Sequence, residues 1–210
     1  MGPEDGPPAM VIPGFFASDR STLGLQRAFA EAGFRAGGWE MGFNRGVSED
    51  TLARIAQRLE RFAGGRKALL IGWSLGGIYA REVAKARPDL VAAVITLGTP
   101  FSGNPRANNV WYLYEMWTGH KVDDPPIRAD LAAKPPVPTI AFWSRQDGIV
   151  APASARGRPG ERDKAIELDC SHMGFATSSR AWPAIVEAAL GAIGATVGAA
   201  PSGTTGARPG

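Results

Sequence analysis

Along the chain, short apolar runs alternate with longer stretches whose apolar residues recur every three or four positions. The runs are Ala9-Met10-Val11-Ile12, Phe34–Trp39, Lys67–Ile71, Val91–Leu97, Val137–Trp143 and Lys164–Asp169. Short runs of this kind, punctuated by Gly and Pro, read as strands. Pro138, which cannot donate to a ladder, must sit at the start or edge of its strand. The intervening stretches read as helices. Ser21–Ala32 offers Leu23, Leu25, Ala28, Phe29 and Ala32 on one face and stops at Gly33. Ser48 can cap a second helix, Glu49 and Asp50 suit its first turn, and Leu52, Ile55, Leu59 and Phe62 keep helical spacing until Gly64-Gly65. Ile78–Arg87 is a third, closed by Pro88. Thr177–Ile193 closes the pattern with Trp182, Ile185, Val186, Ala189, Leu190 and Ile193, and Pro183 suits a first turn, which moves the start toward 180–182.

Strands alternating with helices predict an α/β fold: an open, mostly parallel sheet with helices on both faces. One stretch breaks the rhythm. Residues 101–136 are rich in Asn, Pro and aromatics, with a helix expected over Asn109–Thr118. The expected organisation is a flexible lead-in over 1–8, one domain over 9–194 with 101–136 as a small lid-like insertion, and a disordered tail over 195–210, where Gly, Ala, Ser, Thr and Pro dominate.

Composition narrows the classes. The chain has 210 residues, enough for one sizeable core, and 44% hydrophobic residues, normal for a globular protein. No apolar run is long enough for a bilayer, so stable membrane insertion is not expected. A formal charge of +3, with arginines spread along the chain, does not point to nucleic acid. The single cysteine, Cys170, forms no intramolecular disulfide, and no Cys/His cluster has zinc spacing. The first residues show neither a basic nor an apolar leader region. Together these favour a cytoplasmic location.

The candidate chemistry lies in Gly72-Trp73-Ser74-Leu75-Gly76-Gly77. It follows a buried strand and precedes a helix, and Gly-x-Ser-x-Gly in that setting is a nucleophile elbow. The turn is so sharp that residues two before and two after the serine must lack side chains, and Gly72 and Gly76 meet that need. The helix N-terminus points partial positive charge at the site. The plainer alternative is a Gly-rich turn whose serine caps the helix.

A serine hydroxyl needs a base. In such sheets sites lie outside the carboxyl ends of strands. Of the two histidines only His172, in Asp169-Cys170-Ser171-His172, follows a strand; His120 lies in the insertion. The imidazole needs an acid to fix its tautomer. Asp147, before Gly148 and after the strand ending near Trp143, is preferred to Asp169, Asp123 and Asp124. The order Ser74, Asp147, His172 fits that of this hydrolase class. The backbone N–H groups of Leu75 and Phe15, the latter following Gly14, are the candidate oxyanion donors.

These residues resemble the α/β-hydrolase superfamily, and more narrowly its bacterial lipases and esterases. Leu97-Gly98-Thr99-Pro100-Phe101-Ser102-Gly103 is similar to the Gly-Thr-Pro-x-x-Gly segment of many lipases, and Asp147-Gly148-x-Val150 and Ser171-His172-x-Gly174 to the family's acid and histidine loops. Pro13 stands where the family's oxyanion loop usually has His, and the first strands of many members are missing, which suggests a compact version of the fold. The resemblance implies ester hydrolysis through an acyl-enzyme, with no metal or cofactor and a small-molecule or lipid ester as partner. The same triad also serves thioesterases, amidases and acyltransferases, and a non-catalytic binding module is the alternative outside enzymes.

Phe16, Trp73, Trp111, Tyr114 and Trp117 are the candidate substrate-binding residues, because they could line an apolar wall near Ser74. A helix packing its aromatics onto the sheet accounts equally well for those in the insertion. Asn44 and Arg45 lie in a loop that could face the site, though an ordinary surface turn is the simpler reading.

Overall fold

The computed structural model of the chain describes residues 2–103 and 130–198. Six parallel strands form one sheet: β1 (Pro8–Ile12), β2 (Arg35–Gly38), β3 (Ala68–Trp73), β4 (Val91–Leu97), β5 (Thr139–Trp143) and β6 (Lys164–Glu167), in the order β2-β1-β3-β4-β5-β6. The helices are α1 (Leu23–Glu31), α2 (Thr51–Ala63), α3 (Leu75–Ala86), α4 (Pro152–Arg156), α5 (Gly174–Thr177) and α6 (Trp182–Gly198). A 3-10 turn, Asp19–Thr22, leads into α1.

Both faces of the sheet are covered, which is why β1, β3, β4 and β5 are buried at every position instead of alternating. Val11, Leu69, Ile71, Ala93 and Ile95 pack on one face with Leu25 and Phe29 of α1 and Ile185 and Ala189 of α6. Met10, Ile12, Leu70 and Val94 pack on the other with Ile55 and Leu59 of α2 and Tyr79 and Val83 of α3. The segments following β1 and β3 therefore leave the sheet toward opposite faces. The strand order reverses between these two strands, and their carboxyl ends are where sheets of this kind place their sites.

Several boundaries differ from the sequence expectation for identifiable reasons. Residues 2–8, expected as a loose lead-in, are held by Arg66, whose guanidinium donates to the carbonyls of Asp5 (2.8 Å) and Gly6 (2.7 Å). The fifth strand starts at Thr139, and the Pro138 carbonyl accepts the Val94 N–H at 2.8 Å, so the proline sits at the strand's lip. A separate short helix that the apolar pattern did not mark, α5, precedes the closing helix α6, which starts at Trp182, where Pro183 in its second position suggested. That helix runs on to Gly198, so residues 195–198 are helical and not part of a tail. Helix α4 was absent from the apolar pattern because its sequence, Pro-Ala-Ser-Ala-Arg, carries no large apolar side chain. The helix expected over 109–118 lies outside the described residues.

Arg81 of α3 is fully buried. Its Nε donates to the Leu131 carbonyl (3.3 Å) and its Nη2 to the carbonyls of Ala132, Ala133 and Glu161 (3.1 Å each), while its guanidinium lies 4.0 Å from the centre of the Phe101 ring. Burial lowers its pKa to about 10, so it remains a cation at neutral pH. These bonds tie the elbow helix to Phe101 and to 131–133, on either side of the insertion. Among the described residues no helix is long and apolar enough to cross a membrane. Arg81→Ala strands four carbonyls and leaves a cavity, and should cost at least about 3 kcal/mol in denaturant unfolding with an unchanged m-value.

Candidate active site

The turn from β3 into α3 is the tightest point of the backbone. A Cβ on Gly72 would collide with the Gly76 carbonyl and the Gly77 Cα, and one on Gly76 with the Ile12 carbonyl. Between them Ser74 takes φ 55° and ψ −122°, a conformation that costs a non-glycine residue on the order of 1–3 kcal/mol. Its hydroxyl caps no N–H of α3, which removes the plain helix-cap explanation for the serine. Leu75 is the first residue of α3, so its N–H has no partner within the helix.

The loop after β1 lies against this turn. A Cβ on Gly14 would sit 3.1 Å from the Ser74 Cβ and 3.2 Å from the Trp73 ring. The next residue, Phe15, is half-buried, and Phe16 is exposed with φ 50°. The two rings meet edge to face at 4.3 Å. The Phe16 N–H is bonded to the Asn44 carbonyl at 2.9 Å and the Ala17 N–H to the Gly14 carbonyl at 3.2 Å.

Asp147 follows β5 and His172 follows β6, and both are buried, at 3% and 5% exposed. Asp147 Oδ2 lies 2.8 Å from His172 Nδ1. Its Oδ1 accepts the N–H groups of Ile149 (3.0 Å) and Val150 (2.6 Å), which hold the carboxylate in place. The His172 N–H donates to the Asp147 carbonyl at 3.1 Å, so the two loops are joined through backbone and side chain. The Trp73 indole N–H donates to the His172 carbonyl at 3.0 Å, and the two rings lie 5.7 Å apart. No hydrogen bond joins Ser74 Oγ to His172 in this structure. The connection between them runs through Trp73, whose position next to Ser74 carries the histidine segment to the elbow.

Two of the candidate residues occupy places the sequence did not suggest. Trp73 is 3% exposed and belongs to the core against Phe175 and Cys170, so it supports the His172 segment instead of lining an open wall. Asn44, read as a surface turn, is fully buried, whereas Arg45 is exposed. Trp111, Tyr114, Trp117, His120, Asp123 and Asp124 lie outside the described residues. Sequence reasoning also passed over Gly98. It has φ 55°, and a Cβ there would stand 2.9 Å from Asp147 Oδ2 and from the Phe175 ring. The absent side chain makes room for the carboxylate, and the Gly-Thr-Pro motif was the available signal. Cys170 is buried beside the site, and desolvation, aided by Asp147 and Asp169, pushes its thiol up to about 11. It is a poor nucleophile there. Among the described residues no group of three or more His, Cys, Asp or Glu could hold a metal ion.

No protein-family model matches the chain. It is 45% identical over 65 residues to a triacylglycerol lipase of Pseudarthrobacter phenanthrenivorans; the match covers 31% of this chain and 20% of the lipase, about a fifth of its length. Among solved structures it is similar to a metagenome-derived lipolytic enzyme, with a TM-score of 0.65 at 18% identity, covering 90% of this chain and 93% of that one. It is likewise similar to an alpha/beta hydrolase enzyme from a sediment metagenome of the lagoon of Mar Chica, Morocco, with a TM-score of 0.61 at 21% identity, covering 89% and 91%.

Gly98→Ala forces an alanine into a left-handed conformation and into Asp147. It should lower stability by about 1–3 kcal/mol in denaturant unfolding, and the Asp147–His172 bond should lengthen in its crystal structure.

Proposed function

We propose that this chain, whose fold is that of the α/β-hydrolases, is a serine carboxylic-ester hydrolase that acts on hydrophobic acyl esters through an acyl-enzyme. The observation that carries the proposal is the buried Asp147–His172 pair, 2.8 Å between Oδ2 and Nδ1, on loops bonded to the elbow that strains Ser74. A serine that only capped a helix would need neither the strain nor the pair.

In this reading Ser74 Oγ attacks the ester carbonyl while His172 Nε2 takes its proton. Asp147 holds the other ring proton on Nδ1, which fixes the tautomer and stabilises the imidazolium. The carbonyl oxygen becomes an oxyanion held by the Phe15 and Leu75 N–H groups, the second at the positive end of α3. Collapse breaks the bond to the alcohol, which leaves with the proton from His172. Water then attacks the acyl-enzyme with His172 again as base, the carboxylic acid is released, and Ser74 regains its proton. The exposed Phe16 ring and the candidate residues Trp111, Tyr114 and Trp117 are assigned to the acyl group.

The triacylglycerol lipases matched at 45% identity over 65 residues favour esters over thioesters or amides. A panel of p-nitrophenyl esters of rising chain length, run on the wild type and two variants, tests the proposal. Ser74→Ala should lower kcat/KM by at least roughly 10³-fold and abolish labelling by a fluorophosphonate. Asp147→Asn should lower kcat on the order of 10⁴-fold, the cost of the wrong imidazole tautomer in a serine protease. Full activity in folded Ser74→Ala would sink the proposal.

A further inference from the structure

We infer that Asn44 is a positioning residue that sets the loop carrying the Phe15 oxyanion donor, by bonding it to the elbow helix from inside the protein. The inference rests on the acyl-transfer reading of Ser74 and assigns to that site a residue outside its motifs.

Asn44 lies after β2, and its loop crosses beneath the loop after β1. Its side-chain Nδ2 donates to the Pro13 carbonyl at 2.9 Å. Its backbone carbonyl accepts the Phe16 N–H at 2.9 Å, and its own N–H donates to the Ala17 carbonyl at 2.8 Å. Three bonds from one residue thus hold Pro13, Phe16 and Ala17, on both sides of Phe15. Its Oδ1 accepts the Tyr79 hydroxyl at 3.3 Å and the Gly46 N–H at 3.2 Å. Tyr79 is fully buried on α3, one turn beyond Leu75. The Asn44 amide therefore stands between the two proposed oxyanion donors, holding the Phe15 loop with its nitrogen and the Leu75 helix with its oxygen.

The chemistry of the neighbours requires an amide. The Pro13 carbonyl can only accept and the Gly46 N–H can only donate, so the residue must present one donor and one acceptor. The site is fully buried, so an unmet partner cannot turn to water. Aspartate has the same shape but would set an oxygen against the Pro13 carbonyl. Misplacing a reacting geometry by about 1 Å costs roughly 10²-fold in rate, so the loop need only shift to matter.

The isosteric Asn44→Asp is the primary variant, since it opens no cavity, and Asn44→Ala is the second. With p-nitrophenyl butyrate, both should lower kcat by roughly 10²-fold and change KM less than about twofold. Affinity for an alkyl trifluoromethyl ketone, which forms an oxyanion on Ser74, should fall in step with kcat. Affinity for the matching secondary alcohol should hold. In amide hydrogen exchange, residues 14–17 should exchange faster in the variants while β3 and β4 do not. A folded Asn44→Asp with kcat within about twofold of wild type overturns the inference, as does an equal loss of affinity for ketone and alcohol. If wild type neither turns over nor labels at Ser74, the acyl-transfer reading fails instead. In that case exchange at residues 14–17 unchanged by Asn44→Asp overturns the positioning role on its own.

Discussion

The site depends on two lengths of backbone touching where side chains would prevent it. Gly72 lies against the Gly76 carbonyl within the elbow, and Gly76 lies against the Ile12 carbonyl at the end of the first strand. The first contact lets the chain reverse from β3 into α3 within a residue and leaves Ser74 at φ 55°. The second presses the start of α3 onto the carboxyl end of β1, so the loop after β1 has no choice but to pass over the serine. A single methyl group at either glycine would separate these parts. The strain at Ser74 persists because the sheet, covered on both faces, over-determines it.

Around that contact the protein holds polar side chains in its interior, each of them bonded to backbone groups. Asp147 is held by two N–H groups as well as His172. Asn44 bridges the loop after β1 to the elbow helix. Arg81 gathers four carbonyls from segments distant in sequence. The segments that connect the strands have no ladder to hold them, and these side chains take over that task.

How much of this could be read from the chain follows from what kind of force sets each part. The four central strands were legible because burial on both faces leaves continuous apolar runs, and α2 because Leu52, Ile55, Leu59 and Phe62 mark a face that Gly64 then ends. The elbow was legible because its steric demand falls on glycine. The pairing of Asp147 with His172 could be argued from position alone, since both follow strands. Asn44 could not: between Gly42, Phe43 and Gly46 it looks like a turn, and only the crossing of two loops buries it. Trp73 misled for a similar reason. Its side chain alternates onto the core face of β3, and the strand runs two residues further than the apolar run suggested. The short helix α5 was not legible because its four residues, Gly174–Thr177, are too few to show a helical period.

The strained serine and the two backbone donors are proposed to form one acyl-transfer site. A crystal structure of the protein after reaction with diethyl p-nitrophenyl phosphate tests it most directly. Phosphorus should be bonded to Ser74 Oγ, with the phosphoryl oxygen about 2.7–3.1 Å from the N–H groups of both Phe15 and Leu75. Phosphorus on another residue, or a phosphoryl oxygen turned away from both donors, would contradict it.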